Sequence, residues 1–315
     1  MKKKNKKVYV ALAVDFLHEG HLNILNKASK LGDVYIGLLT DEAIISYKNV
    51  SNLDFDKRKK LLKNFSFIKK IIPQESLDYS KNLNLIKPHY VVHGDDWRKG
   101  RQKSTRAKVI KLLKKWSGKL VEIKYTKDIS IKKFKDKTFE LGNNPNNRIS
   151  KLKRLLDAKT YIKILECHNP LSGLIVENIS FQDKSGINSY DGMWSSSLTD
   201  SVSRGMPDNQ SVDYSIRTQG VNAIMSVTTK PLIFDVDNGG QIEHLKFVVR
   251  DLERAGASAI VMEDKIGLKK NSLFKDQKGA KQDSIKNFAK KIRVAKDAAN
   301  NKDFLVIARI ESIIL

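Results

Sequence analysis

The sequence has only one cysteine, Cys167, and no long apolar run. A single cysteine excludes an internal disulfide and suits a reducing cytoplasm, where disulfides are rare. A membrane-spanning helix needs a run of about 18 apolar residues, which this chain lacks. Its basic start, residues 1–7, precedes an apolar stretch that is too short for a signal peptide and has no cleavage-site pattern. We therefore expect a cytoplasmic protein that does not bind a membrane.

Acidic residues are scarce beside basic ones: 35 Asp and Glu stand against 59 Lys and Arg, for a net charge of +24. Such an excess can indicate nucleic-acid binding, because Lys and Arg neutralise phosphates. Here the excess is mostly lysine, spread along both halves without interleaved aromatic residues or a known nucleic-acid-binding motif. We therefore expect no nucleic-acid partner, and a positive field that favours small substrates carrying phosphate groups.

Short apolar segments alternate with helical patterns along the chain, which predicts a parallel α/β architecture. In the first half, strands are predicted at 8–14, 34–39, 90–92 and 119–123, and helices at 20–31, 55–64, 103–116 and 132–142. The turn-rich stretch from Asn143 to Asn147 predicts a linker. The expected domains are 1–140 and 151–315, joined by a linker at 141–150.

The second half repeats the strand and helix cycle. Strands are predicted at 162–167, 192–196, 232–235, 259–263 and 305–309, and helices at 171–178, 211–226, 242–255 and 284–299. Polar or acidic residues follow nearly every strand, which is where a (β/α)8 barrel places its chemistry. Because only five of eight strands are visible, we expect a partial TIM barrel that is incomplete at its C-terminus.

The segment His18-Glu19-Gly20-His21 lies between the first predicted strand and its helix. Two imidazoles three residues apart at a helix N-terminus, beside a glycine that lets the backbone approach, predict a cradle for a triphosphate. Taken alone, such a pair is as often a pair of ordinary surface or hydrogen-bonded histidines.

The surrounding residues resemble the glycerol-3-phosphate cytidylyltransferase group. The match runs from Asp15 to His21, then through Thr40-Asp41, Arg58 and the string His93-Gly94-Asp95-Asp96-Trp97, over about residues 6–135. The resemblance implies a Rossmann-like nucleotidyltransferase domain with CTP as substrate. A phosphate or phosphonate oxygen would attack the α-phosphorus and pyrophosphate would leave, a transfer that depends on positioning and charge neutralisation.

The same resemblance implies roles for individual residues. His18 and His21 would stabilise the transition-state charge, and Lys48 or Arg58 would hold phosphates. The remaining nucleotide-binding candidates are Asp15, which would support the site, Gly20, Asp95, Trp97 and Ser130. Two segments depart from the group's pattern. Leu12-Ala13-Val14 replaces Gly-Thr-Phe, and Asp128 replaces a glycine within residues 125–131.

Carboxylates follow two neighbouring strands of the second half. Asp235 and Asp237 end one strand, and Glu263 ends the next. Side chains at adjacent strand ends converge at a barrel mouth, and carboxylate oxygens suit Mg²⁺. A lone Asp-x-Asp is equally typical of a helix cap or a salt-bridged pair, so the longer strings decide its interpretation.

Those strings resemble phosphoenolpyruvate mutase in order and spacing, from about residue 148 onward. They are Glu166 to Asn169, Trp194 to Leu198, Asp208, Asp235 with Asp237, Glu263 to Lys265, Lys269 to Leu273, and Ala308 to Glu311. The resemblance implies isomerisation of phosphoenolpyruvate to phosphonopyruvate under a closing loop that excludes water. Family members assemble as tetramers, so it also implies a homo-oligomer for the full-length protein.

Residue roles in the second half follow from this resemblance. Asp235 would contact Mg²⁺ directly, with Asp208, Asp237 and Glu263 holding its waters. Arg309 and Asn271 would grip the migrating phosphoryl group, and Lys269 would lie on the gating loop. The substrate-binding candidates are Trp194, Ser196, Ser197, Leu198 and Ser272.

Several alternatives stay open. Related lyases carry a catalytic cysteine where this chain has Asn271, which disfavours a lyase. A phosphonopyruvate hydrolase is a nearer alternative, although its gating loop has threonine where this chain has asparagine. Since the barrel is short, a binding or scaffold protein with an inactive barrel is another alternative. A nucleic-acid binder would show salt-dependent binding.

The histidine pair generates the first prediction. His18→Ala or His21→Ala should lower pyrophosphate release from CTP by on the order of 10²-fold or more, the effect of losing one transition-state charge stabiliser. The assay supplies CTP and a phosphonate to the protein, or to a version ending near Asn146. Undiminished turnover in both variants would contradict the assignment of His18 and His21 as stabilisers of the transition-state charge.

Overall fold

The computed structural model describes residues 6–47, 49–99, 102–124, 131–183, 186–267, 269 and 281–311. The chain divides into two compact units, Met1–Thr138 and Phe139–Leu315. Each unit contains one five-stranded sheet in which all strands are parallel.

The first unit alternates strands and helices. Its strands are β1 (Lys7–Leu12), β2 (Asp33–Leu39), β3 (Ile68–Gln74), β4 (Tyr90–Gly94) and β5 (Lys119–Ile123). Its helices are α1 (Glu19–Ser29), α2 (Asp41–Ile45), α3 (Phe55–Lys63), α4 (Ser80–Ile86) and α5 (Lys103–Lys114), with a 3₁₀ turn at Asp95–Arg98; α6 (Ile131–Asn143) follows. The strand order β3-β2-β1-β4-β5 sends the crossovers in opposite directions on the two sides of β1, which is a Rossmann-like arrangement.

Strand β1 shows why the sheet is buried on both faces. Val8, Val10 and Leu12 pack into one apolar cluster, while Tyr9 and Ala11 pack into another. Successive side chains of a strand point to opposite faces, so the two clusters lie on opposite sides of the sheet. A parallel sheet covered on both faces leaves the strand ends as its accessible positions.

The second unit adds its strands in chain order. In that order the strands are β6 (Ile164–Glu166), β7 (Ser180–Asp183), β8 (Gly186–Ser189), β9 (Gly192–Ser195), β10 (Leu232–Asp235), β11 (Ala259–Glu263), β12 (Lys265–Ile266), β13 (Lys281–Gln282) and β14 (Leu305–Arg309). The helices are α7 (Pro145–Ala158), α8 (Pro170–Asn178), α9 (Ser197–Val202), α10 (Tyr214–Val227), α11 (Ile242–Ala255) and α12 (Ile285–Ala298). The parallel sheet runs β6-β9-β10-β11-β14, and β7–β8 and β12–β13 are small antiparallel pairs. This strand progression is that of a (β/α) barrel.

The side chains of strand β10 pack into two apolar clusters, one on each face of the sheet. Leu232 and Phe234 pack in the larger cluster, with residues of the surrounding helices, whereas Ile233 packs in a smaller one on the opposite face. Because side chains alternate along a strand, Asp235 continues the row of Ile233. The same alternation places Glu263 at the end of the equivalent row of β11. The two carboxylates therefore lie on one face, at the carboxyl end of the sheet.

The α/β class with two five-stranded parallel sheets confirms the fold class predicted from the sequence. The predicted linker range, 141–150, holds the end of α6 and the first part of α7.

Strand β3 is absent from the sequence predictions because Lys69, Lys70 and Pro73 interrupt its apolar pattern, which an edge strand tolerates. None of the described helices is long and apolar enough to span a membrane.

The C-terminus of α11 generates a prediction about stability. Gly256 caps this helix in the left-handed region at φ +91°, where a side chain costs about 1–2 kcal/mol. Gly256→Ala should therefore lower the free energy of unfolding by about that amount, measured by urea denaturation. Gly220→Ala in α10 is the control, since its added Cβ would approach only the end of the Arg204 side chain. Alanine there should be neutral or stabilising by up to about 1 kcal/mol. If Gly256→Ala and Gly220→Ala changed the free energy of unfolding equally, the assignment of Gly256 as a left-handed helix cap would be wrong.

Candidate functional site

The candidate site of the first unit lies where the direction of the crossovers changes. Strands β1 and β4 are neighbours in the centre of the sheet, and ligands of open α/β sheets bind in the crevice beyond the carboxyl ends of such a pair. His18 and His21 follow β1, and the string from His93 to Trp97 ends β4 and continues into the 3₁₀ turn. The fold thus brings together two sequence motifs that are about 70 residues apart.

The two predicted histidines are adjacent in space. His18 is the N-cap of α1, and its carbonyl accepts the amide hydrogen of Leu22 at 3.0 Å. The imidazole ring of His21 lies 3.8 Å from that of His18, centroid to centroid. Burial lowers the pKa of His18, which favours a neutral ring that can both donate and accept hydrogen bonds. Gly20 occupies the first turn of α1 between them.

Asp15 connects two loops of this site. Its carboxylate accepts the backbone amide hydrogens of Asn52 at 3.0 Å and Leu53 at 3.2 Å. These contacts tie the loop after β1 to the loop before α3. Asp15 therefore braces these loops, and its predicted role in supporting a nucleotide site stays a prediction.

Arg58 is fully buried, and its guanidinium bonds to two backbone carbonyls and one carboxylate of the same unit. Its guanidinium donates to the carbonyls of Leu39 at 2.7 Å and Leu53 at 3.2 Å, and to the carboxylate of Asp41 at 2.9 Å. Arg58 therefore braces the end of β2 against α2 and α3, and its contact with phosphate stays a prediction. Lys48 and Ser130, the other candidates of this kind, lie outside the described residues.

Trp97 is buried behind His93, and their rings stack with centroids 3.8 Å apart at an angle of 4°. Its indole N–H donates to Glu122 of β5 at 2.9 Å. Glu122 also accepts from Arg106 at 2.8 Å and from Arg98 at 2.7 Å. These bonds, chiefly that from Arg106, hold the pKa of Glu122 well below its usual range.

Glu122 is absent from the sequence predictions, since a single glutamate in a strand gives no signal of such a network. Asp95, the other predicted residue here, opens the 3₁₀ turn beside this network.

In the second unit, the predicted carboxylates converge. Asp235, Asp237 and Glu263 are each at most 5% exposed. The amide of Asp237 donates to the carboxylate of Asp235 at 2.9 Å, and its carbonyl accepts from the amide of Glu263 at 2.8 Å. These bonds hold Asp237 at φ +52°, a left-handed conformation that is uncommon outside glycine and often marks functional sites.

Lys269 lies at the centre of this cluster. Its ammonium group bonds to the carboxylate of Asp237 and to the hydroxyl of Ser197. It also lies 3.2 Å from Asp208 Oδ1 and 3.9 Å from Asp235 Oδ2. Burial acts to lower the pKa of Lys269, but the attraction of the surrounding carboxylates outweighs it, so the net shift is upward. One buried cation thus faces three aspartates and offsets part of their charge.

The predicted substrate-binding residues border this cluster. Ser197 donates to the carboxylate of Asp235 at 3.2 Å, and Ser196 caps α9 by accepting the amide hydrogen of Leu198 at 3.2 Å. The indole nitrogen of Trp194 is buried and has no hydrogen-bond acceptor within the described residues. Asn271 and Ser272 lie outside the described part of the chain.

Arg309 ends β14 next to the cluster, and its guanidinium pairs with the carboxylate of Glu311. Lys265 lies 3.2 Å from the same carboxylate, and the amide of Glu311 donates to Asp264 at 2.9 Å. The segment after β14 is therefore anchored to the segment after β11. This anchoring orients the predicted phosphoryl-binding residue.

The donor set fits a hard divalent cation, although no group of three or more acidic, histidine or cysteine side chains among the described residues is arranged around a metal position. The ammonium of Lys269 lies among these carboxylates, within ion-pair distance of Asp208, Asp235 and Asp237. Glu263 Oε1 is buried and accepts no hydrogen bond within the described residues. Burial raises the pKa of Glu263 to about 7, against the lowering effect of Lys269 and Lys265. A buried carboxylate oxygen without a hydrogen-bond donor is suited to accept from a water of a bound cation.

Arg217 and Asp200 are the residues of this region that the sequence predictions miss. Arg217 Nε donates to Asp200 at 2.9 Å, and its Nη1 lies 3.5 Å from Asp237 Oδ2. One signal could have revealed Arg217: it shares the buried face of α10 with Val221 and Ile224, at positions i, i+4 and i+7. A charged residue on a buried helix face needs a buried partner.

Comparison with known proteins assigns each unit to a family. Residues 152–315 match the phosphoenolpyruvate phosphomutase family, and residues 14–165 match the cytidylyltransferase-like family. Glycerol-3-phosphate cytidylyltransferase from Bacillus spizizenii is 31% identical over 97 residues, which cover 30% of this chain and 74% of that protein. The chain belongs to both families.

The relatives of the phosphomutase unit include two kinds of enzyme, a phosphonopyruvate hydrolase and a phosphoenolpyruvate phosphomutase. Phosphonopyruvate hydrolase from Variovorax sp. is 36% identical over 166 residues, 52% of this chain and 53% of that protein. Phosphoenolpyruvate phosphomutase from Tetrahymena pyriformis is 31% identical over 168 residues, 53% of each. The chain spans about half the length of these two curated relatives. The family memberships confirm both resemblances identified from the sequence motifs.

The loop contacts of Asp15 in the cytidylyltransferase-like unit generate a prediction. Asp15→Ala removes the acceptor of two backbone N–H groups, which should lower the free energy of unfolding by about 2 kcal/mol. Asp15→Asn keeps one acceptor and should lose less, as measured by urea denaturation. Asp56→Ala is the control, because Asp56 is exposed in the first turn of α3 and its loss should change stability by less than about 0.5 kcal/mol. An Asp15→Ala protein as stable as this control would refute the bracing role.

Proposed function

We propose that this protein catalyses two reactions of phosphonate metabolism, one in each unit. The second unit would isomerise phosphoenolpyruvate to phosphonopyruvate, and the first would transfer a cytidylyl group from CTP to a phosphonate such as 2-aminoethylphosphonate. The observation that carries the proposal is the convergence of Asp208, Asp235, Asp237, Ser197 and Lys269 at the carboxyl end of a phosphomutase-family sheet. Both families support phosphonate-related chemistry.

In the cytidylyltransferase-like unit, the paired imidazoles of His18 and His21 support phosphoryl chemistry. The N-terminus of α1 would present backbone N–H groups and the positive end of the helix dipole to a triphosphate. A phosphonate oxygen would attack the α-phosphorus of CTP, and the bond to pyrophosphate would break. The histidines would donate hydrogen bonds to the phosphate oxygens, where charge develops in the transition state.

In the phosphomutase unit, the phosphoryl group would move from the enol oxygen of phosphoenolpyruvate to its methylene carbon. A carbon–phosphorus bond forms as the oxygen–phosphorus bond breaks. Arg309 would bind the migrating group, and its position is fixed by Glu311. Ser196, Ser197 and Leu198 at the start of α9 would bind the substrate carboxylate through hydroxyl and backbone N–H groups.

The phosphomutase unit is proposed to use Mg²⁺. Asp235 would contact the ion, and Asp208, Asp237 and Glu263 would hold its waters, with Lys269 leaving their centre. When bound, Mg²⁺ would offset the negative charge of the substrate and orient it. Lys269 belongs to a segment that the sequence analysis predicts to be a gating loop. Its ammonium would then be available to the substrate's phosphoryl group.

The relationship to phosphonopyruvate hydrolase favours a second candidate reaction for the same site. A hydrolase would use water to cleave the carbon–phosphorus bond of phosphonopyruvate, which yields pyruvate and phosphate. A mutase must exclude that water. Phosphonopyruvate is the product of the first reaction and the substrate of the second, so the products formed from each added compound separate the two.

Phosphorus NMR of the full-length protein tests the proposal. With CTP, Mg²⁺ and a panel of phosphonates, a cytidylylated phosphonate and pyrophosphate should form. With phosphoenolpyruvate, a decarboxylase traps phosphonopyruvate, because the isomerisation equilibrium is expected to favour phosphoenolpyruvate. Pyruvate and phosphate from added phosphonopyruvate would instead identify a hydrolase. Absence of every product in each assay would refute the proposal.

The cation site generates a prediction. Asp235→Ala should abolish phosphonopyruvate formation, because it removes the proposed direct ligand of Mg²⁺. The coupled decarboxylase assay measures the rate over a range of Mg²⁺ concentrations. Asp213→Asn is the control, since Asp213 caps α10 and asparagine caps helices equally well, so the rate should not change. Near-normal, Mg²⁺-dependent turnover of Asp235→Ala would rule out the metal assignment.

A further inference from the structure

Arg217 is buried to 2% exposure beneath the carboxylate cluster of the phosphomutase unit. Its guanidinium lies 4.3 Å from the centroid of the Phe234 ring, in the strand that leads to Asp235. Its Nε donates to Asp200, and its Nη1 faces Asp237 at 3.5 Å. A charged group that is buried this deeply requires partners of opposite charge, and the partners of Arg217 are the carboxylates of Asp200 and Asp237.

Asp237 is contacted by a different cation on each carboxylate oxygen. Oδ1 bonds to Lys269, and Oδ2 faces Arg217. The backbone of Asp237 is held at φ +52°, so the neighbouring structure must hold this residue in place. Lys269 comes from the segment after β11, whereas Arg217 comes from a helix of the scaffold. Among the described side chains, Arg217 would remain as the cation that faces the Asp237 carboxylate once Lys269 has left.

Asp200 anchors Arg217 from the other side. Its Oδ2 accepts from Arg217 Nε at 2.9 Å and from the hydroxyl of Ser195 at 3.0 Å. Ser195 ends β9, next to the serines proposed to bind substrate. A chain of hydrogen bonds thus runs from the end of β9 through Asp200 and Arg217 toward Asp237. Its members are all at most 3% exposed.

We propose that Arg217 is a positioning residue, which holds Asp237 Oδ2 so that Oδ1 faces the cation site. The proposal rests on the proposed function, because it takes the carboxylate cluster to be the Mg²⁺ site. Partners that orient metal-binding side chains typically change metal affinity 10–100-fold when they are removed. The opposing view is that Arg217 only neutralises buried charge.

The two views predict opposite signs for cation affinity. If Arg217 acts only through its positive charge, its removal should tighten binding of a divalent cation, because a nearby repulsion is lost. If Arg217 positions Asp237, its removal should weaken binding, because the carboxylate is free to turn away. The measurement is the affinity for Mn²⁺ alone, followed by electron paramagnetic resonance of the full-length protein, without substrate.

We expect Arg217→Gln to bind Mn²⁺ about 10–100-fold more weakly than the unmodified protein. Arg217→Lys keeps a buried cation and should lose less. Arg204→Gln is the matched control, because Arg204 contacts Asp200 yet is partly exposed. The Mn²⁺ affinity of this variant should equal that of the unmodified protein. Lys269→Gln removes the ammonium between the carboxylates, so it should tighten Mn²⁺ binding and show that the assay registers both signs.

Loss of Arg217 leaves two buried carboxylates without their partner, so the single variant can fail to fold. The double variant Asp200→Asn with Arg217→Gln removes one of these charges and is compared with Asp200→Asn alone; circular dichroism verifies the fold of each protein. Weaker Mn²⁺ binding by the double variant supports the proposal. Unchanged or tighter binding by folded Arg217 variants overturns it and leaves the proposed function standing. An unmodified protein that binds no Mn²⁺ overturns both.

Discussion

Buried carboxylates at the ends of two parallel strands require buried cations to offset their charge. An isolated carboxylate in an apolar interior is costly, and it persists only when it is paired and hydrogen-bonded. In the phosphomutase unit, Lys269 and Arg217 meet this requirement from different elements. The serines of α9, the tight turn at Asp237 and the bond from Ser195 to Asp200 are all arranged around these charges.

The cytidylyltransferase-like unit meets a different constraint. Its candidate site combines the N-terminus of α1 with the adjacent rings of His18 and His21 instead of a carboxylate cluster, and a helix N-terminus offers hydrogen-bond donors and partial positive charge. The side chains around it are used to hold loops. Asp15 and Arg58 bind backbone groups, and Glu122 holds Trp97 against the His93 ring.

The fold class, and the positions of the candidate residues directly after their strands, could be predicted from the sequence because strand ends carry a local signal. A buried strand reads as an apolar run, and a carboxylate or histidine directly after it stands out, as Asp235, Glu263 and His18 do. Edge strand β3 and the β7–β8 hairpin lack such runs. Strand β3 forms because β2 supplies the pairing that its own residues do not specify, whereas β7 and β8 pair with each other.

The sequence by itself determined the α/β class, the two family resemblances and the placement of the histidine pair and the carboxylates after their strands. Only the tertiary structure decided which charges offset one another. Arg217 is 20 residues from Asp237, and Glu122 is 16 residues from Arg106; each pair meets because a helix packs across a sheet. Charge pairing depends on distance and burial in three dimensions, and neither can be read from residue order.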